Sequence, residues 1–349
     1  MSKVLLIIGL AILLVIGGVV AIRYMTPAPT APAKTPNTIL IGFALGTLRE
    51  DRWRTDLDLF TKKVESLGAS VSSLSNDYDV PTQISQIDNL VNQGAKVIVV
   101  VPADSDKIAP AIEKAHEAGV KIIAYDRLIN NATVDLYTSF DNVKVGVLEA
   151  SGVTSVVSKG KFAYIGGSPA DNNAFLLKQG SMSVLDPKIK SGDIKLVVDE
   201  FTPDWKPETA YQNLKKYLDT GGALDAVVAA NDGTAFGVIQ ALTEKGLAGK
   251  VPVSGQDAEL SACQRIVAGT QTLTIYKPIK ALAEKTAELA VAMAKGQAPE
   301  TTGVINNGKM DVPSYLLEPI PVTKANMMET IVKDGFHTAQ EVYGTSTAQ

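Results

Sequence analysis

Four places in this chain set an ionisable or amide side chain directly after an apolar run. Asp126-Arg127 follows KIIAY, Asn231-Asp232 follows AVVAA, Gln256-Asp257 follows VPVSG, and Lys277 follows TLTIY. A carboxylate accepts hydrogen bonds, and a guanidinium donates several in a fixed fork. An acid and a base side by side suit a small neutral ligand with several hydroxyls, each of which both donates and accepts. Helix capping explains part of the pattern, because Asn and Asp are residues that begin helices. Asp232, before Gly233-Thr234, is expected to cap; Asn231, one residue earlier, is expected to face a cleft instead. Lys277 cannot cap an N-terminus, where the helix dipole disfavours a cation. The two tryptophans are Trp53 in LREDRW and Trp205 in FTPDWKPE. Spacing alone assigns Trp53 to the core stripe of a helix, whereas Trp205, in a polar loop, is expected outside the core. A sugar ring has apolar C–H faces and a polar rim. Two indoles would cover the faces while charged and amide groups bond the rim.

Signatures of catalysis are missing. There are two histidines, His116 and His337, and no G-x-x-x-x-G-K-[ST] phosphate loop. Gly166-Gly167-Ser168-Pro169-Ala170 lacks the last glycine of a nucleophile elbow. Asp126 and Asp257 could be imagined as a glycosidase pair. Arg127 and Lys277 would keep both ionised, which defeats a general acid that needs a raised pKa. No catalytic residue, cofactor or metal site is expected. The net charge of −4, from 33 basic and 37 acidic residues, argues against a nucleic-acid surface. The single cysteine, Cys263, excludes an intramolecular disulfide and a multi-cysteine metal site.

At 349 residues and 46% hydrophobic content, the chain can build one large or two medium domains. Its front is separate. Val4–Ile22 is an uncharged apolar run close to the about 20 residues that span a bilayer. Residues 1–25 therefore read as a signal anchor, with a cleaved signal peptide as the alternative. Residues 26–37 contain TPAPTAPAKTP and read as a Pro-rich tether, so the remainder is expected to be exported. In the body, apolar runs such as Val97–Val101 alternate with helical stripes such as Trp53, Leu57, Phe60, Val64 and Leu67. Strands are predicted at 38–45, 70–74, 97–101, 120–125, 136–140, 161–165, 194–201, 226–230, 251–255, 271–275 and 312–316. That is the βαβ rhythm of a doubly wound α/β sheet, restarted after Phe140–Val143. In such sheets ligands sit at the C-terminal ends of the strands, where the polar pairs fall.

The stretches LREDRW, NLVNQGAKVIVVVPAD, AYDRLIN, SFDNVKVG, GGSPADNNA, AANDGTAFGVIQAL, SGQDAEL, AGTQTLTIYKPI and IVKDGFH resemble the pentose- and hexose-binding receptors of ABC sugar importers. Ribose- and galactose-binding proteins belong to this type I periplasmic-binding family, and the likeness is greatest to its D-xylose branch. It runs from about Thr38 to about His337. The resemblance implies two Rossmann-like lobes joined by three crossovers, with a monosaccharide, D-xylose first, bound between them. It implies lobe 1 at 38–141 and 258–302, lobe 2 at 142–257 and 303–349, and hinges near 140–143, 255–258 and 302–304. Carried over by motif, the ligand-binding residues are Arg52, Trp53, Asp126, Arg127, Asn173 (ahead of Asn172), Trp205, Asn231, Asp257 and Lys277, with Arg49 as support. The partner implied is an ABC permease, with its ATPase subunit reached indirectly, and the receptor is expected to be a monomer. A sugar sensor for a membrane kinase or chemoreceptor, or ribose, arabinose or glucose as ligand, are the alternatives.

Overall fold

The computed structural model describes residues 38–344. The expected anchor, Val4–Ile22, and the tether lie outside the described residues, and among those described no helix is long and apolar enough to cross a membrane. In chain order the body begins with β1 (Leu40–Leu45), α1 (Asp51–Ser66), β2 (Ser70–Ser75), α2 (Val80–Asn92), β3 (Val97–Val101), α3 (Ala109–Glu117), β4 (Lys121–Tyr125) and β5 (Leu136–Phe140). A second series follows: α4 (Asn142–Val156), β6 (Gly160–Ile165), α5 (Asn172–Lys190), β7 (Ile194–Glu200), α6 (Pro207–Asp219), β8 (Ala226–Ala229), α7 (Asp232–Glu244), α8 (Leu260–Ala268) and β9 (Thr274–Tyr276). The chain closes with α9 (Ile279–Ala294), β10 (Gly303–Asn306), β11 (Asp311–Leu317), β12 (Ile320–Val322) and α10 (Ala339–Tyr343).

The first sheet has the order β10-β11-β5-β4-β3-β1-β2, parallel except for the β10–β11 hairpin. Its interior strand β3 reads VIVVV and is buried throughout. Such unbroken branched runs belong to parallel strands covered on both faces. Phe60 and Val64 of α1 pack on one face with Leu282 and Ala287 of α9. Ile87 and Leu90 of α2 pack on the other with Ile112 of α3. The second sheet, β7-β6-β8, is covered by α6 and α7 on one face and by α4 and α5 on the other. Helices α4 and α5 meet backbone to backbone. A Cβ on Gly146 would lie 2.0 Å from Leu177 O, and one on Gly180 would lie 2.0 Å from Val143 O.

Two expectations need correction. Residues 251–255 form no ladder, only an isolated bridge from Val253 to Val227. Pro252 has no N–H to give, and the Ser254 hydroxyl takes over ladder positions, accepting from Ala229 N–H at 2.9 Å and donating to Ala229 O at 3.0 Å. The return segment also divides elsewhere than expected. Strand β9 bridges to Gln256 and pairs with β12, which keeps it beside the second sheet. Only from α9 onward does the chain pack on the first sheet, and β10–β11 then fill the open edge beside β5. The chain therefore passes between the sheets at 140–142, 276–279 and 317–320. These passages are neighbours: Asp141 N–H donates to Leu317 O at 3.1 Å, and the Lys277 ammonium lies 5.8 Å from the Phe140 ring centre.

Candidate functional site

Where the C-terminal ends of both sheets face each other, a cavity is lined by Glu50, Arg52, Trp53, Asp126, Arg127, Asp171, Asn173, Trp205, Asn231, Gln256, Asp257 and Lys277. All nine residues expected as ligand contacts are among them. The other three are Glu50, Asp171 and Gln256.

The first wall is built on Asp126, the residue after β4. Its φ is 62°, a left-handed conformation that Asp tolerates better than most residues. Three donors hold its carbonyl there: Ser139 Oγ at 2.7 Å, Tyr137 Oη at 3.0 Å and Asn173 Nδ2 at 3.0 Å. Its carboxylate receives Arg52 Nη2 at 2.7 Å and lies 3.8 Å from Lys277 Nζ. The Arg52 guanidinium, near the start of α1, serves three carboxylates. It reaches Asp56 at 3.3 Å and Asp257 at 3.2 Å besides Asp126. Burial alone would raise the Asp126 pKa, but Arg52, Lys277 and Arg127 outweigh it and hold the carboxyl at about 2. An acid so strongly ionised cannot be the proton donor of a glycosidase. Asp56 lies deeper, bonded by the Tyr125 hydroxyl. There burial dominates over the pull of Arg52, and the carboxyl is pushed up to about 6. Trp53 is packed in the core, as its helical spacing predicts, and also reaches the cavity. Its Nε1 donates to Glu50 at 2.8 Å, and the Arg52 guanidinium lies 4.4 Å from its ring centre.

The second wall hangs on helix ends. Asp171 caps α5, accepting from Asn173 N–H at 2.9 Å. The same carboxylate takes Trp205 Nε1 at 3.1 Å and Arg127 Nε at 2.8 Å. Arg127 also donates to the Tyr78 hydroxyl at 2.9 Å. Trp205 was expected outside the core, yet it is buried among Tyr164, Phe162 and Val228. Gly167 explains this: a Cβ there would lie 2.0 Å from the indole, so only glycine lets the ring lie against the backbone. Trp205 itself sits at φ 55°. Asn231 caps α7, with its Oδ1 accepting from Thr234 N–H at 2.7 Å in a reciprocal capping box. The cap thus belongs to Asn231 rather than to Asp232. Asp232 is buried in the first turn, accepting from Gln271 at 2.7 Å, Thr274 at 2.9 Å and the Glu259 N–H at 3.0 Å. Asn231 still borders the cavity, with its amide NH₂ left to donate. Asp257, at φ 92°, receives Lys277 at 2.9 Å.

Three cavity residues, Asp126, Trp205 and Asp257, hold positive φ without being glycine. Such backbones cost about 1–3 kcal/mol each and concentrate at functional sites. Of the three lining residues that the sequence reading left out, Asp171 had a signal in the D-N-N run, which marks a cap. Gln256 stood in a flagged pair, and Glu50 lies two residues before the flagged Arg52. Arg49 stays outside the cavity and donates across the cleft to Asp204 O at 3.0 Å. Asn172 does not line it either.

The family described as periplasmic binding protein domain matches residues 41–298. The chain is 49% identical over 304 residues to the D-xylose-binding periplasmic protein of Haemophilus influenzae, covering 87% of this chain and 92% of that protein. It is 48% identical over 305 residues to the D-xylose-binding periplasmic protein of Escherichia coli, again covering 87% and 92%. A solved ABC transporter solute-binding protein from Clostridium phytofermentans with bound β-D-glucose has the same fold. The TM-score is 0.81 at 31% identity, over 87% of this chain and 99% of that one.

Proposed function

The chain belongs to the periplasmic-binding-protein family, and from that premise we propose that it is an extracytoplasmic receptor for one monosaccharide, D-xylose before others. The observation that carries this reading is the balance of groups around one small cavity. Two carboxylates, Asp126 and Asp257, accept; Arg52, Arg127 and Lys277 donate; the Asn173 and Asn231 amides complete the rim, and the indoles of Trp53 and Trp205 supply apolar faces.

In this reading the sugar enters an open cleft, bonds one lobe and draws the other over it. It shifts the open–closed equilibrium only by its differential affinity for the closed form. The bending points are the passages at 140–142, 276–279 and 317–320. The lobes are then 38–141 with 278–318, and 142–277 with 319–344. The closed receptor, a monomer, docks on an ABC permease, and ATP bound elsewhere drives the sugar inward. Val4–Ile22 anchors the receptor at the outer face of the membrane, with the Pro-rich stretch as its tether.

A thermal-shift screen over pentoses and hexoses tests the ligand. Sugar at a hundredfold its Kd adds about 2.7 kcal/mol, so D-xylose should raise Tm by several degrees and more than any other sugar. No shift with any pentose or hexose contradicts the receptor reading. The glucose-bound relative makes D-glucose the competing ligand. A larger shift with D-glucose would change the ligand and keep the site.

A further inference from the structure

All four residues of Ala170–Asn173, in the lobe of the second sheet, are bonded to the lobe of the first. Ser105 N–H donates to Ala170 O at 2.8 Å. Arg127 Nε pairs with Asp171 at 2.8 Å, with both side chains buried. Asn172 N–H donates to Ser105 Oγ at 3.1 Å. Asn173 Nδ2 donates to the carbonyl and the carboxylate of Asp126 at 3.0 and 3.1 Å. Two of these bonds converge on Ser105, which is 1% exposed and does not line the cavity.

Ser105 is held ready by its own lobe. The Asp104 carboxylate accepts the N–H groups of Asp106 and Lys107 at 3.0 and 2.9 Å, and Ser105 O accepts from Asn130 N–H at 2.8 Å. On the opposite side, Asn172 is the first residue of α5, so its N–H has no acceptor within the helix. Ser105 Oγ supplies one. Ser105 and Asn172 belong to different sheets, joined only through the three passages, so this bond exists only while the lobes are together. No sugar atom takes part in it.

We propose that Ser105, with Ala170–Asn172, forms a sugar-independent clasp, and that Ser105 is a positioning residue setting sugar affinity without touching sugar. The proposal rests on the receptor reading. A ligand held more tightly by the closed form has an overall affinity that rises with the stability of that form. The clasp stabilises that form and slows reopening. Reopening is the step that releases an enclosed sugar, so the clasp acts on koff while encounter with the open cleft is unaltered. The Asp171 carboxylate couples this closure to the ring, since it holds both Arg127 of the opposite lobe and Trp205 of its own.

The test uses the exported chain with Ser105→Ala, and with Ser105→Thr, which keeps a hydroxyl. Stopped-flow tryptophan fluorescence with D-xylose reads kon and koff. Small-angle scattering without sugar reads the radius of gyration. Ser105→Ala should raise koff about five- to tenfold, the worth of one net hydrogen bond, leave kon within about twofold, and enlarge the sugar-free radius. Ser105→Thr should restore both readouts. An unchanged koff and radius in Ser105→Ala, at an unchanged Tm, overturns the clasp. If Ser105→Ala lowers the sugar-free Tm, the same readouts are taken on Asn172→Pro, which removes the donating N–H at the first helical position, where proline is tolerated, and the same null result overturns it. Should the unmodified protein bind no sugar, the receptor reading fails, and the sugar-free radius still decides the clasp.

Discussion

The wall of the cavity from the first lobe carries its charges in a network that is largely complete within that lobe. Arg52 holds Asp56 and Asp126 there, and Tyr125 bonds Asp56 from β4. The wall from the second lobe presents helix ends instead. Asp171 and Asn231 cap α5 and α7, and Trp205 is fixed by the first of those caps. The difference teaches which wall can act alone. Two of the three carboxylates on Arg52, Asp56 and Asp126, belong to its own lobe and Asp257 to the other, while Asp171 gains Arg127 only when the lobes meet. In our reading the first wall receives the sugar and the second encloses it.

The largest effect should come from breaking the first wall. Asp126→Ala removes the shortest of the three carboxylate contacts of Arg52 and leaves Arg52 to Asp56 and Asp257 and Lys277 to Asp257. The fold should persist at a lower Tm, and titration calorimetry should find no D-xylose binding. Asp257→Ala should follow in the same direction with a smaller loss of stability, because its side chain is at the edge of the site, 10% exposed. Asp257 belongs to the facing wall but shares Arg52 with Asp126, and near-original affinity in both variants would remove the Arg52-linked carboxylates from the account.

On the second wall, Trp205→Ala takes away an apolar face of the cavity and uncovers Gly167. Affinity should fall about a hundredfold, roughly 2.7 kcal/mol, with a stability loss of about 3–5 kcal/mol. A loss of stability with full affinity would mean that the ring is core alone. Asn231→Asp separates capping from binding more finely. Aspartate caps as well as asparagine but has no amide donor, so Tm should hold while calorimetry shows affinity falling about tenfold, or 1.4 kcal/mol. Equal affinity would confine Asn231 to its cap.

The smallest effect on sugar binding should come from Asp56, whose signature is in pH. Its pKa is raised from 3.8 to about 6 in the fold. Its contribution to stability is therefore full below about pH 4 and lost as pH rises towards 6. Asp126, on the same guanidinium, is lowered to about 2, so its contribution is full above about pH 4 and lost as pH falls towards 2. The Tm difference between the unmodified protein and Asp56→Asn should decline from pH 4 to pH 6. Parallel Tm curves would contradict the assignment.

The strand ends were legible because each polar residue interrupts an apolar run at the edge where a parallel sheet places ligands. Asp126, Asp257 and Lys277 stand out on that ground without any knowledge of relatives. The passages between sheets were less legible. Nothing local in 258–276 or 303–317 says which sheet edge is open, and strand pairing decides it. VPVSG has the composition of a strand, yet Pro252 and the Ser254 hydroxyl divert its bonds. Asn231 and Asp232 exchange the expected cap, since either fits the motif and only Thr234 shows which one it bonds. Trp205 looked exposed from its polar neighbours, because the glycine that admits its ring lies 38 positions away, at Gly167.

The most direct test of the central claim is a crystal structure of the protein grown with D-xylose. The account predicts one pyranose between Trp53 and Trp205, with its hydroxyls on the carboxylates of Asp126 and Asp257. Sugar bound elsewhere, or a cavity without sugar in crystals of protein that binds D-xylose in solution, would contradict it.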